Sequence, residues 1–501
     1  MDYNVIIITL LISGVQSSLR FSNSYSDHMV LQRAPERAIL WGYADVIDDV
    51  VSVWMDGFLV AETNVYNETS DDSTGIWTVK LPAENDPGPH EILVNSSEGN
   101  VHLYDVLFGD VWLCSGQSNM QFSMSMVNNS EYEITHSLQY KNIRMLTTKQ
   151  VPSSSAREDV EVLHPWIYPI KGIIDDFSAL CFMFARDLQD HIDYPIGLID
   201  SSWGGTPIEA WSSNSAIEKC PAKIKHPRWR RQSLLWNSMI YPYTLMTIKG
   251  AIWYQGEGNR NNAGVYACQF RAMINDWRKH FNKRSDGETS VNFPFGFVQL
   301  APFRKSNTIG GFPKIRWAQT TNIGYVPNRN MPNTFMAVAI DLPDFWSPSG
   351  SIHPRHKQDI AARLVLGAKH LIYGDEVVYQ GPFPTGYRIS PHRQTMLITL
   401  NNDKKSLQVN HKDGFEICCA SAAVDCLEES PWYTVDIVRY RKSTVEIDIG
   451  DCYIQHVLGV RYLWRESPCA FKHCALYDSQ TQLPVPPFRK IFGMDETSVM
   501  K

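Results

Sequence analysis

The sequence predicts an α/β protein in which a parallel sheet, covered by helices on both faces, is flanked by two β-rich parts. Four apolar, β-branched stretches that each lead into a Gly-rich or polar loop indicate the strands: 111–114, 195–200, 248–254 and 334–340. Segments with apolar residues at helical spacing lie between and after them: 177–192, 266–281 and 358–372. Strands that alternate with helices are typical of parallel sheets, whereas the flanking regions show short strand patterns without helices.

The first of these strands runs directly into a small-residue turn that carries a serine, Gly116-Gln-Ser-Asn-Met120. In α/β hydrolytic enzymes a strand that ends at such a turn holds a nucleophile at the carboxyl edge of the sheet. A serine in a glycine-rich turn is also ordinary turn chemistry. The hypothesis of a nucleophile at Ser118 therefore depends on the segments that follow.

Each of the other three strands also leads into a loop with chemically useful side chains. The second runs into Ser201-Ser-Trp-Gly-Gly205, the third into Gln255-Gly-Glu-Gly-Asn259, and the fourth opens a loop that ends in Ser351-Ile-His-Pro354. Because the carboxyl ends of parallel strands meet at one edge of a sheet, we expect these loops to converge on Ser118.

The order Ser118, Gly204 or Gly205, Asn259, His353 resembles the four blocks of the SGNH hydrolases. The sequence resembles the sialate O-acetylesterases more closely still, in the segments DHMVLQRAP (27–35), GDVWLCSGQSNMQF, GLIDSSWGGTPIEAW, LLWNSMIYP, WYQGEGN and SIHPRHKQ. The resemblance covers about residues 20–480 and implies a three-layer α/β/α catalytic domain that hydrolyses O-acetyl esters of sialic acids without a metal or cofactor.

Two positions depart from the family pattern. The third block commonly reads GESN, and Gly258 replaces its serine here. The residue three before the histidine, often an aspartate, is Gly350. The second departure removes the expected partner of the histidine.

The chemical requirements of ester hydrolysis suggest a role for each of the four blocks. Ser118 is the candidate nucleophile, because a hydroxyl attacks an ester carbonyl only beside a base that takes its proton. His353 is the candidate base, since imidazole titrates close to neutral pH. The oxyanion donors are expected to be the backbone N–H groups of Ser118 and of Gly204 or Gly205, with the side-chain amide of Asn259.

Three carboxylates compete to orient His353. Glu257 ranks first because its loop must lie near Ser118, Asp341 second and Asp344 third. A serine–histidine dyad with no acid remains an alternative.

Several side chains beside the motif glycines are candidate sugar contacts. They are Gln117, Gln255 and Trp203, although the two glutamines could equally support the site. Trp203, Trp211, Trp253 and Trp346 could all belong to the core. The cluster 228–231, Arg-Trp-Arg-Arg, is interpreted as a solvated or salt-bridged segment rather than as a receptor for a sugar carboxylate.

At 501 residues the chain exceeds one ordinary core, so several domains are expected. The predicted bounds are a signal peptide at 1–18, an N-terminal β-rich domain at 19–105, a catalytic domain at 106–376, a C-terminal β-rich domain at 377–485 and a tail at 486–501. Both β-rich parts are expected to be sandwich-like. The C-terminal part is expected to pack beside the catalytic domain.

Three features of the sequence predict that the protein enters the secretory pathway: the apolar run at 4–15, three glycosylation sequons and ten cysteines. The sequons place glycosylation at Asn67, Asn95 and Asn128 in a secreted or lysosomal protein. We expect disulfides of undetermined pairing; a zinc site at Cys469, His473 and Cys474 is the alternative.

A net charge of −7 and the absence of a Lys/Arg-rich run exclude nucleic acid as a partner. No stretch is long enough to predict a membrane span. The expected partner is a small-molecule or glycan substrate, and the oligomeric state is not predicted. The competing functions are an acetylesterase for another polysaccharide such as xylan, and a non-catalytic sugar-binding protein on the same scaffold.

Overall fold

Strands alternate with helices in the middle of the chain, and both ends contain mainly strands. The computed structural model describes residues 18–67, 75–221, 232–305, 310–401, 406–420, 426–427, 430–452 and 456–492. The signal-peptide prediction up to residue 17 and the basic cluster at 228–231 lie outside these residues.

Within the described residues the helices are α1 Ser118–Gln121, α2 Ser130–Ser137, α3 Ala179–Gln189, α4 Asn214–Lys219, α5 Ala263–Arg284, α6 Phe312–Ala318 and α7 Lys357–Leu371. The strands of the N-terminal and central parts are β1 Arg20–Phe21, β2 Val30–Gln32, β3 Ile39–Ala44, β4 Val50–Met55, β5 Phe58–Asn64, β6 Gly75–Lys80, β7 His90–Ser96, β8 Gly99–Gly116, β9 Ile143–Thr148, β10 Val162–Ile167, β11 Ile196–Ser202, β12 Gly250–Tyr254, β13 Phe295–Gln299 and β14 Thr334–Val338. Those of the C-terminal part are β15 Pro384–Ser390, β16 Thr395–Leu400, β17 Leu407–Val409, β18 Phe415–Ala420, β19 Trp432–Val435, β20 Ile437–Arg441, β21 Thr444–Asp448, β22 His456–Tyr462, β23 Leu476–Asp478 and β24 Phe488–Ile491.

The central sheet has the strand order β10-β9-β11-β8-β12-β13-β14. All neighbours from β9 to β14 run parallel, and β10 is antiparallel to β9, so the sheet is mixed. This confirms the α/β class, and the four strands predicted from the sequence are β8, β11, β12 and β14. Of these, β8 lies between β11 and β12, which brings three of the four predicted loops to adjacent strand ends.

Strand β8 is unusually long and belongs to two parts of the molecule. Its first half pairs with β7 and β2 of the N-terminal part, and its second half pairs with β11 and β12. The predicted domain boundary at residue 105 therefore falls within a continuous strand. The nucleophile turn is thus rigidly connected to the N-terminal strands.

Helices pack on the central sheet in two groups. Helix α7 packs against α3 and β14, while α5 packs against α4 and α6. The apolar stripe of α3 explains this placement, since nine of its eleven residues are buried. A disulfide between Cys114 of β8 and Cys181 fastens α3 to the central strand.

Small antiparallel sheets make up both ends of the chain. The N-terminal part has one sheet of order β1-β3-β6 and a second run in which β4 pairs with β5 and β7. The C-terminal sheets are β15-β16-β21-β20, β17-β23 and β19-β18-β22-β24. The last of these differs from the sequence expectation, because residues 488–491 form a strand where a tail was expected. The buried Phe488 ring explains the difference.

The C-terminal part contacts the catalytic region through polar groups. Arg316, which is fully buried, donates to the backbone carbonyls of Arg465 and Glu466 at 2.8 and 2.9 Å. The Lys472 backbone N–H donates to the Asp341 carbonyl at 2.7 Å. These contacts join the connection between β22 and β23 to α6 and to the beginning of the loop that carries His353.

All ten cysteines are paired, which confirms the disulfide prediction. The pairs are Cys114–Cys181, Cys220–Cys268, Cys418–Cys426, Cys419–Cys452 and Cys469–Cys474. The last pair uses both sulfurs of the alternative zinc site. No helix in the described ranges is long and apolar enough to cross a membrane.

Candidate active site

Ser118 lies where the central strand ends, at the first position of α1. Gly116 has φ +140°, and a Cβ there would lie 2.2 Å from the carbonyl oxygen of Tyr254, so the turn requires glycine. The Gln117 N–H donates to the same Tyr254 carbonyl at 3.0 Å. These contacts fix the nucleophile turn against the end of the neighbouring strand β12.

The structure brings His353 into hydrogen-bond contact with Ser118. The distance from His353 Nε2 to Ser118 Oγ is 2.8 Å, and His353 Nδ1 lies 2.7 Å from the Ser349 backbone oxygen. A carbonyl oxygen can only accept, so Nδ1 carries the proton and Nε2 is free to accept one from the serine hydroxyl. This is the tautomer that a general base requires.

None of the three candidate carboxylates contacts the His353 ring. Asp344 accepts from the Arg355 guanidinium at 2.7 and 3.0 Å, and Asp341 accepts from Arg363 at 2.6 and 2.9 Å. Glu257 accepts from the Asn119 amide at 2.7 Å.

The geometry therefore does not support the orienting contact predicted for Glu257, Asp341 or Asp344, and it fits the alternative of a serine–histidine dyad. Gly350 gives the reason: with φ +86° it forms the turn that directs the preceding carbonyl at the histidine.

A buried polar chain connects the loops that carry the site. Asn119 donates from Nδ2 to Glu257 Oε1 and, at 2.9 Å, to the backbone oxygen of Ile352, next to His353. Its Oδ1 accepts from Lys357 Nζ at 2.8 Å, and the same ammonium donates to the Pro354 carbonyl at 2.7 Å. Asn119 thus ties the nucleophile helix, the third block and the histidine loop together.

Burial shifts the pKa values of the ionisable groups in and beside this polar network in the direction that favours their neutral forms. Burial raises the pKa of Glu257, although the Asn119 hydrogen bond and the Lys357 charge oppose the rise. Burial lowers the pKa of Lys357 to about 7, against the attraction of Glu257 and Asp344. Burial also lowers the pKa of His353; the Ser349 carbonyl opposes this, and the nearby Lys357 charge adds to it.

Gly204 lies against the nucleophile, as the sequence predicts. A Cβ at this position would lie 3.3 Å from Ser118 Cβ and 3.1 Å from Gln121 Oε1. The Gly204 N–H donates to that Gln121 oxygen at 2.8 Å, so a side chain already occupies this oxyanion donor. Gly205 follows with φ +72°, a conformation that favours glycine.

Asn259 is not placed to bind an oxyanion. Its side chain is fully buried, its Nδ2 donates to Glu209 at 2.8 Å, and its Oδ1 accepts from the Ile208 N–H at 2.9 Å. Gln255 is likewise fully buried and donates to Asn259 Oδ1 at 2.8 Å. The geometry therefore does not support the predicted donor role of Asn259, and of the two roles considered for Gln255 it favours support of the site.

Gln117 and Gly258 form a further internal contact. The Gly258 N–H donates to Gln117 Oε1 at 3.0 Å, and Gln117 is nearly buried. The contact gives Gln117 a supporting role in place of the predicted sugar contact. A Cβ at 258 would lie 2.9 Å from the Thr206 carbonyl, which explains why glycine replaces the serine of the family pattern.

The tryptophans of the motif loops differ in exposure. Trp211 and Trp253 are fully buried in the core, whereas Trp203 is half-buried beside Gly204. Trp346, which could have belonged to the core, is 84% exposed in the loop that carries His353.

Four site residues were missed by the sequence reasoning. Asn119 and Gln121 lie inside the GQSNMQF segment, and Lys357 lies in SIHPRHKQ, so their motifs were recognised without a role for them. Ser349 acts through its backbone carbonyl, which leaves no signal in the sequence.

Two of the three sequon asparagines, Asn67 and Asn95, are exposed. Asn128 is half-buried, and its amide nitrogen lies 3.0 Å from His356 Nδ1.

Comparisons with known proteins agree along most of the chain. Residues 108–357 match the family described as "Carbohydrate esterase, sialic acid-specific acetylesterase", and residues 385–492 match the "Sialate O-acetylesterase C-terminal domain". A sialate O-acetylesterase of Homo sapiens is 39% identical over 94% of this chain and 92% of its own length. One of Mus musculus is 38% identical over 96% of this chain and 97% of its own length. The crystal structure of a carbohydrate acetylesterase from Xanthomonas citri superposes with a TM-score of 0.78 and 27% identity, over 94% of this chain and 99% of that one.

Proposed function

The chain belongs to the sialic acid-specific carbohydrate acetylesterases and hydrolyses O-acetyl esters of sialic acids, and we propose that it does so through an acetyl-enzyme on Ser118. The observation that carries the mechanism is the 2.8 Å contact between Ser118 Oγ and an unprotonated His353 Nε2. We expect acetyl groups at the 9-O and 4-O positions to be the ones removed. The products are acetate and the free sugar hydroxyl.

Acylation begins when Ser118 Oγ attacks the acetyl carbonyl while His353 Nε2 takes the hydroxyl proton. The imidazolium that forms keeps its Nδ1–H bond to the Ser349 carbonyl, which holds the ring in place without a carboxylate. The tetrahedral oxyanion forms near the backbone N–H groups of Ser118, Gly204 and Gly205. The first N–H of a helix has no acceptor within the helix, so the Ser118 amide can serve the substrate.

Collapse of the intermediate transfers the proton from His353 to the departing sugar oxygen and leaves Ser118 acetylated. Water then enters and attacks the acetyl carbonyl while His353 removes its proton. The second tetrahedral intermediate collapses, His353 returns that proton to Ser118 Oγ as the Oγ–C bond breaks, and acetate leaves. These steps need no group beyond the residues of this chain. The Gln121 side chain must leave the Gly204 N–H before the oxyanion can use it.

Trp203 is proposed as a sugar contact, because its half-buried ring follows Ser202 at the end of β11 and precedes Gly204. The proposed organisation is a three-layer α/β/α catalytic domain over 106–376, flanked by sandwich-like parts. The two groups of helices and the matches over 108–357 and 385–492 support it.

We also propose a secretory destination, secreted or lysosomal, with glycans at Asn67, Asn95 and Asn128. The five disulfides support this destination.

Acetate release tests the function directly. The chain should release acetate from 9-O-acetylated sialic acid much faster than from acetylated xylan, and Ser118→Ala should lower the rate by ~10³-fold or more. Release from xylan alone would overturn the substrate. Activity that survives Ser118→Ala, in a variant with unchanged thermal unfolding, would overturn the acetyl-enzyme.

A further inference from the structure

The C-terminal sheet β15-β16-β21-β20 has one face in the core and one face open to solvent. Met396, Ile398, Val445 and Ile447 are fully buried on the inner face. On the outer face the strand register aligns Arg388, Leu397, Glu446 and Arg439 in one row, because directly paired residues share a face.

Arginines stand on both edge strands of this outer face. Arg388 lies on β15, while Arg439 and Arg441 lie on β20, and all three are exposed. With strands ~4.8 Å apart, the two edges are separated by roughly 14 Å. Thr395 and Thr444, on the strands between them, line the floor with hydroxyl groups.

The outer face forms a cavity of about 850 Å³ with a strong positive bias. Besides the three strand arginines, the lining includes Arg393 and Lys442, and Glu446 is the acidic residue among the described lining residues. Asp448, paired with Thr395, is a second acidic residue of the same face and accepts from the Gly450 N–H at 2.8 Å. Glu446 is largely buried, accepts from the Thr395 hydroxyl at 2.7 Å and lies 3.5 Å from Arg439 Nε. A positive face on a chain of net charge −7 favours an anionic ligand.

Arginine on an edge strand can also serve only to prevent pairing with another sheet. Protection of the sheet edge alone would not require a cavity, nor threonine hydroxyl groups on the strands between the arginines. A planar guanidinium matches a carboxylate with two parallel hydrogen bonds, and hydroxyl groups match a sugar ring. The combination therefore fits a carbohydrate that carries carboxylates.

We propose that this outer face binds the carboxylates of a sialylated glycan and so holds polymeric substrate on the enzyme. The inference rests on the proposed function, since the enzyme acts on sugars that carry a carboxylate. The outer face would bind the glycan on either side of the acetylated sugar, while Ser118 acts on the ester.

Binding is measured on the full chain with Ser118→Ala, so that no turnover occurs. The probe is an α2,8-linked sialic acid polymer without acetyl groups, compared with neutral dextran and with heparin. The unmodified face should bind the sialic acid polymer and not dextran. Arg388→Gln and Arg441→Gln should each raise Kd by ~5-fold, and the double variant by more.

Arg271→Gln, at an exposed arginine of α5, is the matched control and should leave Kd unchanged. In active enzyme the face variants should raise KM for acetylated sialoglycoprotein and leave hydrolysis of the free 9-O-acetylated monosaccharide unaltered. Absent binding, an equal effect of Arg271→Gln, or tighter and equally arginine-dependent binding of heparin would overturn the proposal. Loss of monosaccharide hydrolysis in the otherwise unmodified chain would instead contradict the proposed function.

Discussion

The two members of the proposed catalytic pair are held by very different means. Ser118 begins α1 directly after the central strand, and its turn is fixed by the backbone contact of Gln117 with β12 and by the buried hydrogen bonds of Asn119. His353 lies in a loop after the edge strand β14, half-buried, with its ring directed by a carbonyl four residues before it. The sheet therefore sets the nucleophile, whereas a local turn sets the base.

This difference explains how the proposed serine–histidine pair can be oriented without a carboxylate. An acid is needed in a triad to select the histidine tautomer and to hold the ring. Here the Ser349 carbonyl does both, and the Arg355–Asp344 ion pair at 2.7 Å closes the loop behind it. Besides the Ser118–His353 contact itself, the Asn119 side chain joins the two regions, through Glu257, the Ile352 carbonyl and Lys357.

The largest effect is expected from removal of the base itself. His353→Ala should lower kcat by ~10³- to 10⁴-fold, because the serine hydroxyl loses its proton acceptor. Steady-state kinetics on 9-O-acetylated sialic acid checks this, with thermal unfolding as the control. A loss below tenfold would show that another group takes the proton.

The connection between the two regions can be broken at Asn119. Asn119→Ala should lower kcat by ~100-fold with little change in KM, because misplacement of reacting groups by about 1 Å has an effect of this size. Lys357→Met, which leaves Asn119 Oδ1 without its donor, should act in the same direction and cost ~1–3 kcal/mol in the free energy of unfolding. If both variants change KM alone, the hydrogen bonds of Asn119 and Lys357 position the substrate rather than Ser118 and His353.

The pH profile reports on the environment of the base. His353 must be neutral to accept a proton, so activity is lost as pH falls through its pKa, which burial lowers below the ordinary 6.5. The midpoint of the acid limb of kcat/KM should lie below 6.5, with about a tenfold fall per pH unit beneath it. A midpoint above 6.5 would indicate a stabilising negative charge near the ring, such as the carboxylate that the geometry lacks.

Replacement of the candidate acids should have a smaller effect on the chemistry. Glu257→Gln keeps an acceptor for Asn119 and should lower kcat less than tenfold. Asp341→Asn leaves buried Arg363 without its charge partner and should cost ~3–5 kcal/mol in the free energy of unfolding instead. A 100-fold loss of kcat in Glu257→Gln at unchanged stability would restore Glu257 to a catalytic role.

The smallest effect is expected at the rim of the histidine loop. Trp346 exposes 84% of its surface, one residue before the Ser347 hydroxyl that donates to the His353 carbonyl at 2.7 Å. An exposed aromatic ring can stack on a sugar, so Trp346→Ala should raise KM for glycan substrates by ~2- to 5-fold with kcat unchanged. An unaltered KM would mean that the ring does not contact substrate.

Much of the fold could be predicted because the central strands carry their own signal. The apolar runs at β8, β11, β12 and β14 each precede a functional loop, and all four form as expected. Strand β13 was missed because a glycine and two prolines interrupt the pattern around it. The structure shows why the glycine is there: a Cβ at Gly296 would lie 2.4 Å from the Phe335 ring.

Residue type and order along the chain predicted that Ser118, His353 and Gly204 lie together, and the structure places them in contact. The sequence did not predict how the side chains of Glu257, Asn259 and Gln255 are oriented, because a buried polar side chain turns towards whichever partner the surrounding elements present. The cysteine pairing was open for the same reason, since it depends on which elements pack together.

The sequence by itself determined the α/β class and the disulfide-bonded character of the chain, and it singled out Ser118 and His353 as the candidate nucleophile and base. Only the tertiary structure decided that a carbonyl rather than a carboxylate orients His353 and that Asn119 connects the two loops. The physical reason is that propensity and motif order are local properties of the chain. Hydrogen-bond partners depend instead on how distant segments meet, here Asn119 with Ile352 and Lys357.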